Sequence, residues 1–214
     1  MILKTIVVGS IMENCYLAGD ANELLVIDPG GDAEKILAEI EKNSYRVKYI
    51  VVTHCHSDHI GAVNAVKERT GAKIVLSERE KENYLDSNVN LMRGFGLHHQ
   101  PEPPDVLLGD GAVISSGQYS FRAIQTPGHT SGGMCLLCGD VLFSGDTLFR
   151  EGIGRCDLPT GNLKEIVRSI KERLFVLDDG VKVYPGHGPE TTIGYEKQHN
   201  EVYEWERYCN EYDG

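Results

Sequence analysis

Apolar and polar positions change rhythm along this chain, and the change separates strands from helices. Short apolar runs fall near 2–8, 15–18, 23–28, 47–52, 73–76, 121–125, 133–138, 140–144 and 181–184, and most end at glycine or proline. These predict strands. Ala33, Ile36, Leu37 and Ile40 instead recur at helical spacing after Asp32, which is suited to an N-cap. Leu163, Ile166, Val167, Ile170 and Leu174 do the same after Asn162, with Glu165 placed as in a capping box. The segment from Tyr195 to Tyr212 reads as one helix, with Tyr195, Val202, Trp205 and Cys209 near one face. Strands in two runs, each accompanied by helices, suggest an α+β fold of two sheets back to back with helices outside.

Composition bounds the possibilities without changing that picture. The chain has 214 residues, 41% of them hydrophobic, and no Pro/Ser-rich linker or charge block divides it, so a single domain over 1–214 is expected. The start, Met1 to Val8, is apolar but soon interrupted, and no run approaches the length needed to span a membrane. A cytoplasmic location follows as the simplest expectation. A formal charge of −11 disfavours nucleic acid as a partner and leaves small molecules. Six cysteines are too few for a disulfide scaffold. Cys135 and Cys138 form a C-x-x-C inside a strand-like run with no second pair, and read as buried strand cysteines. His98, His99 and His199 fall outside every motif and read as surface histidines.

The chemistry is concentrated directly after the run Tyr49 to Thr53. There His54, His56, Asp58 and His59 place four metal-ligand types within six positions. Side chains alternate in extended chain, so His54 and His56 point the same way while Cys55 points away, and Asp58 and His59 follow as the chain turns. One metal can take the first pair and a second metal the other. Three later segments, Thr126-Pro127-Gly128-His129, Ser144-Gly145-Asp146 and Tyr184-Pro185-Gly186-His187, each set a ligand type beside glycine after a β-like run. Catalytic groups favour such junctions on a rigid sheet. No G-x-S-x-G elbow or other candidate triad is present, so hydrolysis, if the chain performs it, would use metal-bound water.

Taken together, these residues resemble the signature of metallo-β-lactamase-fold hydrolases, and most closely the glyoxalase II-like branch. His54, His56, Asp58 and His59 match its H-x-H-x-D-H motif, and His129, Asp146 and His187 match its later ligand positions. The resemblance implies an αββα sandwich with a two-metal centre at one edge. It puts His54, His56 and His129 on one divalent ion and Asp58, His59 and His187 on the other, with Asp146 bridging. Zinc is the expected metal, with iron or manganese admitted by the same ligand types. Asp58 would serve both as ligand and as proton acceptor.

The activity so implied is hydrolysis of an anionic thioester such as S-lactoylglutathione by metal-bound hydroxide. Arg155, in Gly154-Arg155-Cys156-Asp157, matches a basic glutathione-contacting position, although Asp157 stands where the family has an aromatic. Arg155 can equally pair with Asp157. The C-terminal helical domain of glyoxalase II enzymes is not matched. The 195–212 helix is open to three roles: packing on the body, a homodimer contact, or a wall of the substrate pocket. The leading rival is a mononuclear iron persulfide dioxygenase-like enzyme using His54, His129 and Asp146. A non-catalytic metal-binding protein is a third reading, and a true β-lactamase is disfavoured by an aspartate at position 146.

Overall fold

The computed structural model describes residues 1–94, 96 and 100–212. Its first six-stranded sheet takes β1 (Ile2–Val8), β2 (Glu13–Gly19), β3 (Leu24–Ile27), β4 (Val47–Val51), β5 (Lys73–Ser77) and β6 (Val106–Leu108), side by side in that order. Tight turns make β1, β2 and β3 antiparallel. From β3 to β6 the strands run parallel, because longer connections carry the chain back between them. Those connections hold α1 (Ala33–Lys42), α2 (Ser57–Ile60), α3 (Val63–Thr70) and α4 (Lys81–Leu85). The second sheet uses β7 (Val113–Ser116), β8 (Tyr119–Gln125), β9 (Met134–Cys138) and β10 (Val141–Gly145). After a small ribbon of β11 (Leu148–Phe149) with β12 (Gly152–Ile153), helix α5 (Leu163–Ser169) leads to β13 (Lys182–Pro185), parallel to β10, and to β14 (Thr191–Thr192). Helices α6 (Ile193–His199) and α7 (Val202–Tyr212) follow.

Alternation along the strands assigns each residue to a layer. In β3, Leu24 and Val26 join Ile36, Ile40, Val63 and Val66 of α1 and α3 in one buried cluster. Leu25 and Ile27 point to the other face and pack with Phe121, Leu136 and Phe143 of the second sheet. The outer face of that sheet offers Ile124, Cys135, Leu142 and Val183 to Ile166, Val167, Ile193 and Val202. Three apolar layers between four layers of structure make an αββα sandwich, as the sequence suggests. Burying each aliphatic or aromatic side chain contributes about 1.5–3 kcal/mol. Cys135 and Cys138 lie buried in β9 on its two faces, as expected.

Several local expectations need correction. Asp32 does precede α1, but it adopts φ 46° and makes no side-chain cap; its Oδ2 accepts from the Gly9 N–H at 3.0 Å and so ties down the β1–β2 turn. Asn162 caps as expected, accepting from the Glu165 N–H. The stripe ending at Leu174 is α-helical only to Ser169 and then widens into a π-helical turn. The terminal helix is two helices. Asn200 breaks it with extended backbone, accepts from the Val202 N–H through Oδ1, and donates through Nδ2 to Phe149 O and Gly152 O of the ribbon. Among the described residues no helix is long and apolar enough to cross a membrane.

Candidate metal centre

The loops that leave β4, β8, β10 and β13 converge. His54, His56, Asp58 and His59 follow β4, His129 follows β8, Asp146 follows β10 and His187 follows β13. The two sheets are stitched together here, since the Met134 N–H donates to Thr53 O at 2.9 Å. Packing is too tight for side chains at two glycines. A Cβ on Gly145, which sits at φ +48°, would meet Thr53 Oγ1 at 2.3 Å, and one on Gly186 would meet Asp146 Oδ1 at 2.3 Å. Glycine beside the ligands is thus a steric requirement and, at Gly145, a conformational one as well.

The ligand atoms of His54, His56 and His129 lie within 4.8 Å of one another, and those of Asp58, His59 and His187 do likewise. Asp146 reaches both groups. Its Oδ1 is 3.3 Å from His59 Nε2, and its Oδ2 is 3.6 Å from His129 Nε2 and 3.8 Å from His187 Nε2. His187 Nε2 lies 3.0 Å from Asp58 Oδ2, and His56 Nδ1 lies 2.8 Å from His129 Nε2. His54 Nε2, His56 Nε2, His59 Nε2 and Asp146 Oδ1 are buried without hydrogen-bond partners. Native structures rarely leave so many buried polar atoms unmatched in one place. Imidazole nitrogens and carboxylate oxygens at these spacings fit divalent zinc, iron or manganese.

The two groups differ electrostatically. Burial, reinforced by the surrounding imidazoles, holds His54 well below its ordinary value, and burial with His129 brings His56 down to about 3. Both are therefore neutral acceptors at physiological pH. In the other group burial works against charge and loses. It would raise Asp58 and Asp146, yet His59 keeps both low, helped by His187. It would lower His59 and His187, yet Asp146 and Asp58 raise them.

The sequence model of the metallo-beta-lactamase superfamily matches residues 8–187. The chain belongs to that superfamily. It is 33% identical to the hydroxyacylglutathione hydrolase GloC of Haemophilus influenzae over 94% of this chain and 97% of that protein. It is 34% identical to the probable metallo-hydrolase YqgX of Bacillus subtilis, over 90% and 93%. Among solved structures, BLEG-1, a B3 metallo-beta-lactamase, superposes with a TM-score of 0.85 at 34% identity, covering 93% of this chain and 98% of that one. TTHA1623, solved in a di-iron-bound form, gives 0.84 at 34%, covering 92% and 98%. ETHE1 from Myxococcus xanthus gives 0.80 at 29%, covering 99% and 91%.

This member of the superfamily surrounds its candidate ligands with acids that sequence patterns do not single out. Asp28 sits at φ 51° and accepts from the Thr53 N–H at 2.7 Å and its hydroxyl at 2.6 Å; its Oδ2 is 3.1 Å from His59 Nδ1. Glu80 is fully buried and accepts from the Cys55 N–H at 2.9 Å, holding the ligand segment from behind. Cys55 itself packs into the helix-side core, away from the ligands. Glu13 is buried beside His59, and burial pushes its carboxyl upward. Arg155 contributes its carbonyl, 2.8 Å from His129 Nδ1. Its exposed guanidinium grips Asp157 through two 2.7 Å bonds, which hold that carboxyl at about 2. His199 is exposed and stacks on Tyr195, as expected of a surface histidine, whereas His98 and His99 lie outside the described residues.

Proposed function

We propose that this chain is a binuclear metal-dependent hydrolase that cleaves a thioester, S-acylglutathione or a similar acyl-thiol, in the manner of the glyoxalase II-like branch. One observation carries the reading: the Asp146 carboxylate reaches two separate groups of three ligand residues. Similarity to GloC along nearly the whole chain supports the thioester. Divalent cations held by these groups would polarise the substrate carbonyl and supply a hydroxide nucleophile near neutral pH.

The protein's own part is orientation. With Nδ1–H donated to Arg155 O, His129 presents Nε2 to its group; with Nδ1–H donated to Asp28, His59 does the same on the other side. Asp58, held ionised by His59 and His187, offers Oδ2 as the acceptor that orients the attacking water and takes up its proton. The loop of Arg155 also lines a hollow of about 470 Å³ with Ile153, Cys156, Leu163 and Trp205, and with the acids Asp157 and Glu201. Its apolar residues suit the organic part of an acyl-thiol. Arg155 can turn from Asp157 to a substrate carboxylate, because the pair is exposed and screened by solvent. Trp205 makes α7 a wall of this hollow, one of the roles considered for it.

A second reading, a mononuclear iron enzyme acting on persulfides through His54, His129 and Asp146, draws on the likeness to ETHE1. Elemental analysis distinguishes the two. The proposal expects close to two cations per chain, with Asp146→Ala losing both and His59→Ala emptying mainly the second group. A single tightly bound metal, indifferent to His59→Ala, refutes the binuclear centre.

A further inference from the structure

Glu13 opens β2 directly behind the second ligand group. Its backbone pairs with that of His187 in an isolated antiparallel bridge. The next residue, Asn14, donates its N–H to Gly186 O at 2.8 Å and its side-chain amide to Pro185 O and Gly188 O at 3.0 and 2.9 Å. The start of β2 therefore holds the turn that carries His187. The Glu13 side chain turns inward. Its Oε1 lies 3.8 Å from His59 Nδ1, and its Oε2 abuts Gly30, where a Cβ would come within 2.9 Å.

Glu13 is completely buried, and neither carboxylate oxygen has a hydrogen-bond partner. Asp28, Asp58 and Asp146 stand around it, and His59 is the group nearby that can carry positive charge. A glutamine of the same shape would avoid placing a fourth carboxylate among three. An ionised carboxylate in such a place opposes the stability of the cation-free chain and is relieved by taking up a proton or by positive charge close by. A third cation held by Glu13, Asp28 and His59 Nδ1 would displace the hydrogen bond between His59 and Asp28, so the geometry favours a role toward the cation on the far side of the imidazole.

We infer that Glu13 is a positioning residue for the second cation: its buried carboxylate beside His59 and its backbone hold on His187 tighten binding at Asp58, His59 and His187, and leave His54, His56 and His129 unaffected. The inference rests on the binuclear reading and adds to it the residue that makes the two sites unequal.

The test is cation titration of the full chain and of Glu13→Gln and Glu13→Asp, each stripped by chelation. Cobalt(II) uptake is followed by visible absorption, and zinc affinity by competition with a chromophoric chelator. In Glu13→Gln the first binding constant stays within about twofold and the second weakens roughly ten- to hundredfold, the scale seen when a group supporting a metal ligand is lost. Glu13→Asp recovers part of that loss. Melting temperatures add an opposite signature: the cation-free Gln variant melts at or above wild type, while zinc stabilises it less. Two unchanged constants overturn the inference. So does equal weakening of both sites with a lower cation-free melting temperature, which marks a merely structural residue. A wild-type chain that takes up one cation refutes the binuclear reading, and the role of Glu13 with it, before any variant is compared.

Discussion

Gly186→Ala adds one methyl group to the floor of the centre. Gly186 does not adopt positive φ, so alanine suits its backbone and the cost is steric. The new Cβ falls 2.3 Å from Asp146 Oδ1, 2.6 Å from His59 Cε1 and 3.3 Å from the Gly145 carbonyl carbon. Non-bonded heavy atoms settle near about 3.5 Å, so the Asp146 carboxylate and the His59 ring must each withdraw by about 1 Å. The His59 ring does not move freely, because it is tied to Asp28 at 3.1 Å, and Gly186 cannot back away, because its N–H donates to Gly145 O at 2.9 Å. A misplacement of about 1 Å in a reacting geometry costs on the order of 100-fold in rate, or about 2.7 kcal/mol. Gly186→Ala should accordingly lower kcat/KM for S-lactoylglutathione about 100-fold and bring the cation content below two per chain. Gly188→Ala is the control. Gly188 sits at φ +76° with nothing within 4 Å of its Cβ position, so alanine there costs about 1 kcal/mol of backbone strain and spares turnover per loaded chain. Initial rates, elemental analysis and melting temperatures of both variants decide the matter. Wild-type kcat/KM and cation content in Gly186→Ala would show that the ligand atoms are not held where the argument needs them.

Uptake of the second cation should release protons. Burial pulls His59 and His187 down, but Asp146 and Asp58 raise them above the ordinary 6.5, so both carry protons in the cation-free chain at that pH. Affinity at this group therefore falls as pH is lowered, whereas His54 and His56, already neutral, add no such dependence near neutrality. Calorimetry at pH 6.5 in buffers of different ionisation enthalpy measures the release, and none for the second cation contradicts the assignment. Arg155→Ala should raise KM for an anionic thioester roughly tenfold and leave kcat and cation content near wild type, because the carbonyl facing His129 survives the substitution. An unchanged KM places substrate recognition elsewhere.

Sequence patterns single out the candidate ligands and hide their supports, for a physical reason. His54, His56, Asp58 and His59 share one segment, and His129, Asp146 and His187 each sit beside glycine after an apolar run, so local spacing carries the signal. Asp28 acquires its role only by pairing with Thr53, 25 residues away, and Glu13 only when β2 meets the His187 turn. No periodicity encodes such contacts. The strands with continuous apolar runs and the stripes of α1 and α5 are equally legible. The short β6 and β7 are not, and neither are α2, α3 and α4, whose lengths of four to eight residues give hydrophobic spacing too little chain to declare itself. The break at Asn200 is invisible for a related reason, since the ribbon carbonyls that hold its side chain come from Phe149 and Gly152.

The central claim is hydrolysis of a thioester at a two-cation centre, and oxygen dependence tests it most directly. The cation-loaded chain should be given S-lactoylglutathione under nitrogen and under air, and glutathione persulfide in an oxygen electrode, each with and without a chelator. Equal release of free thiol in both atmospheres, abolished by the chelator and accompanied by no oxygen uptake with the persulfide, is the predicted result. Oxygen consumption with the persulfide and no cleavage of the thioester would contradict the account and establish the iron dioxygenase in its place.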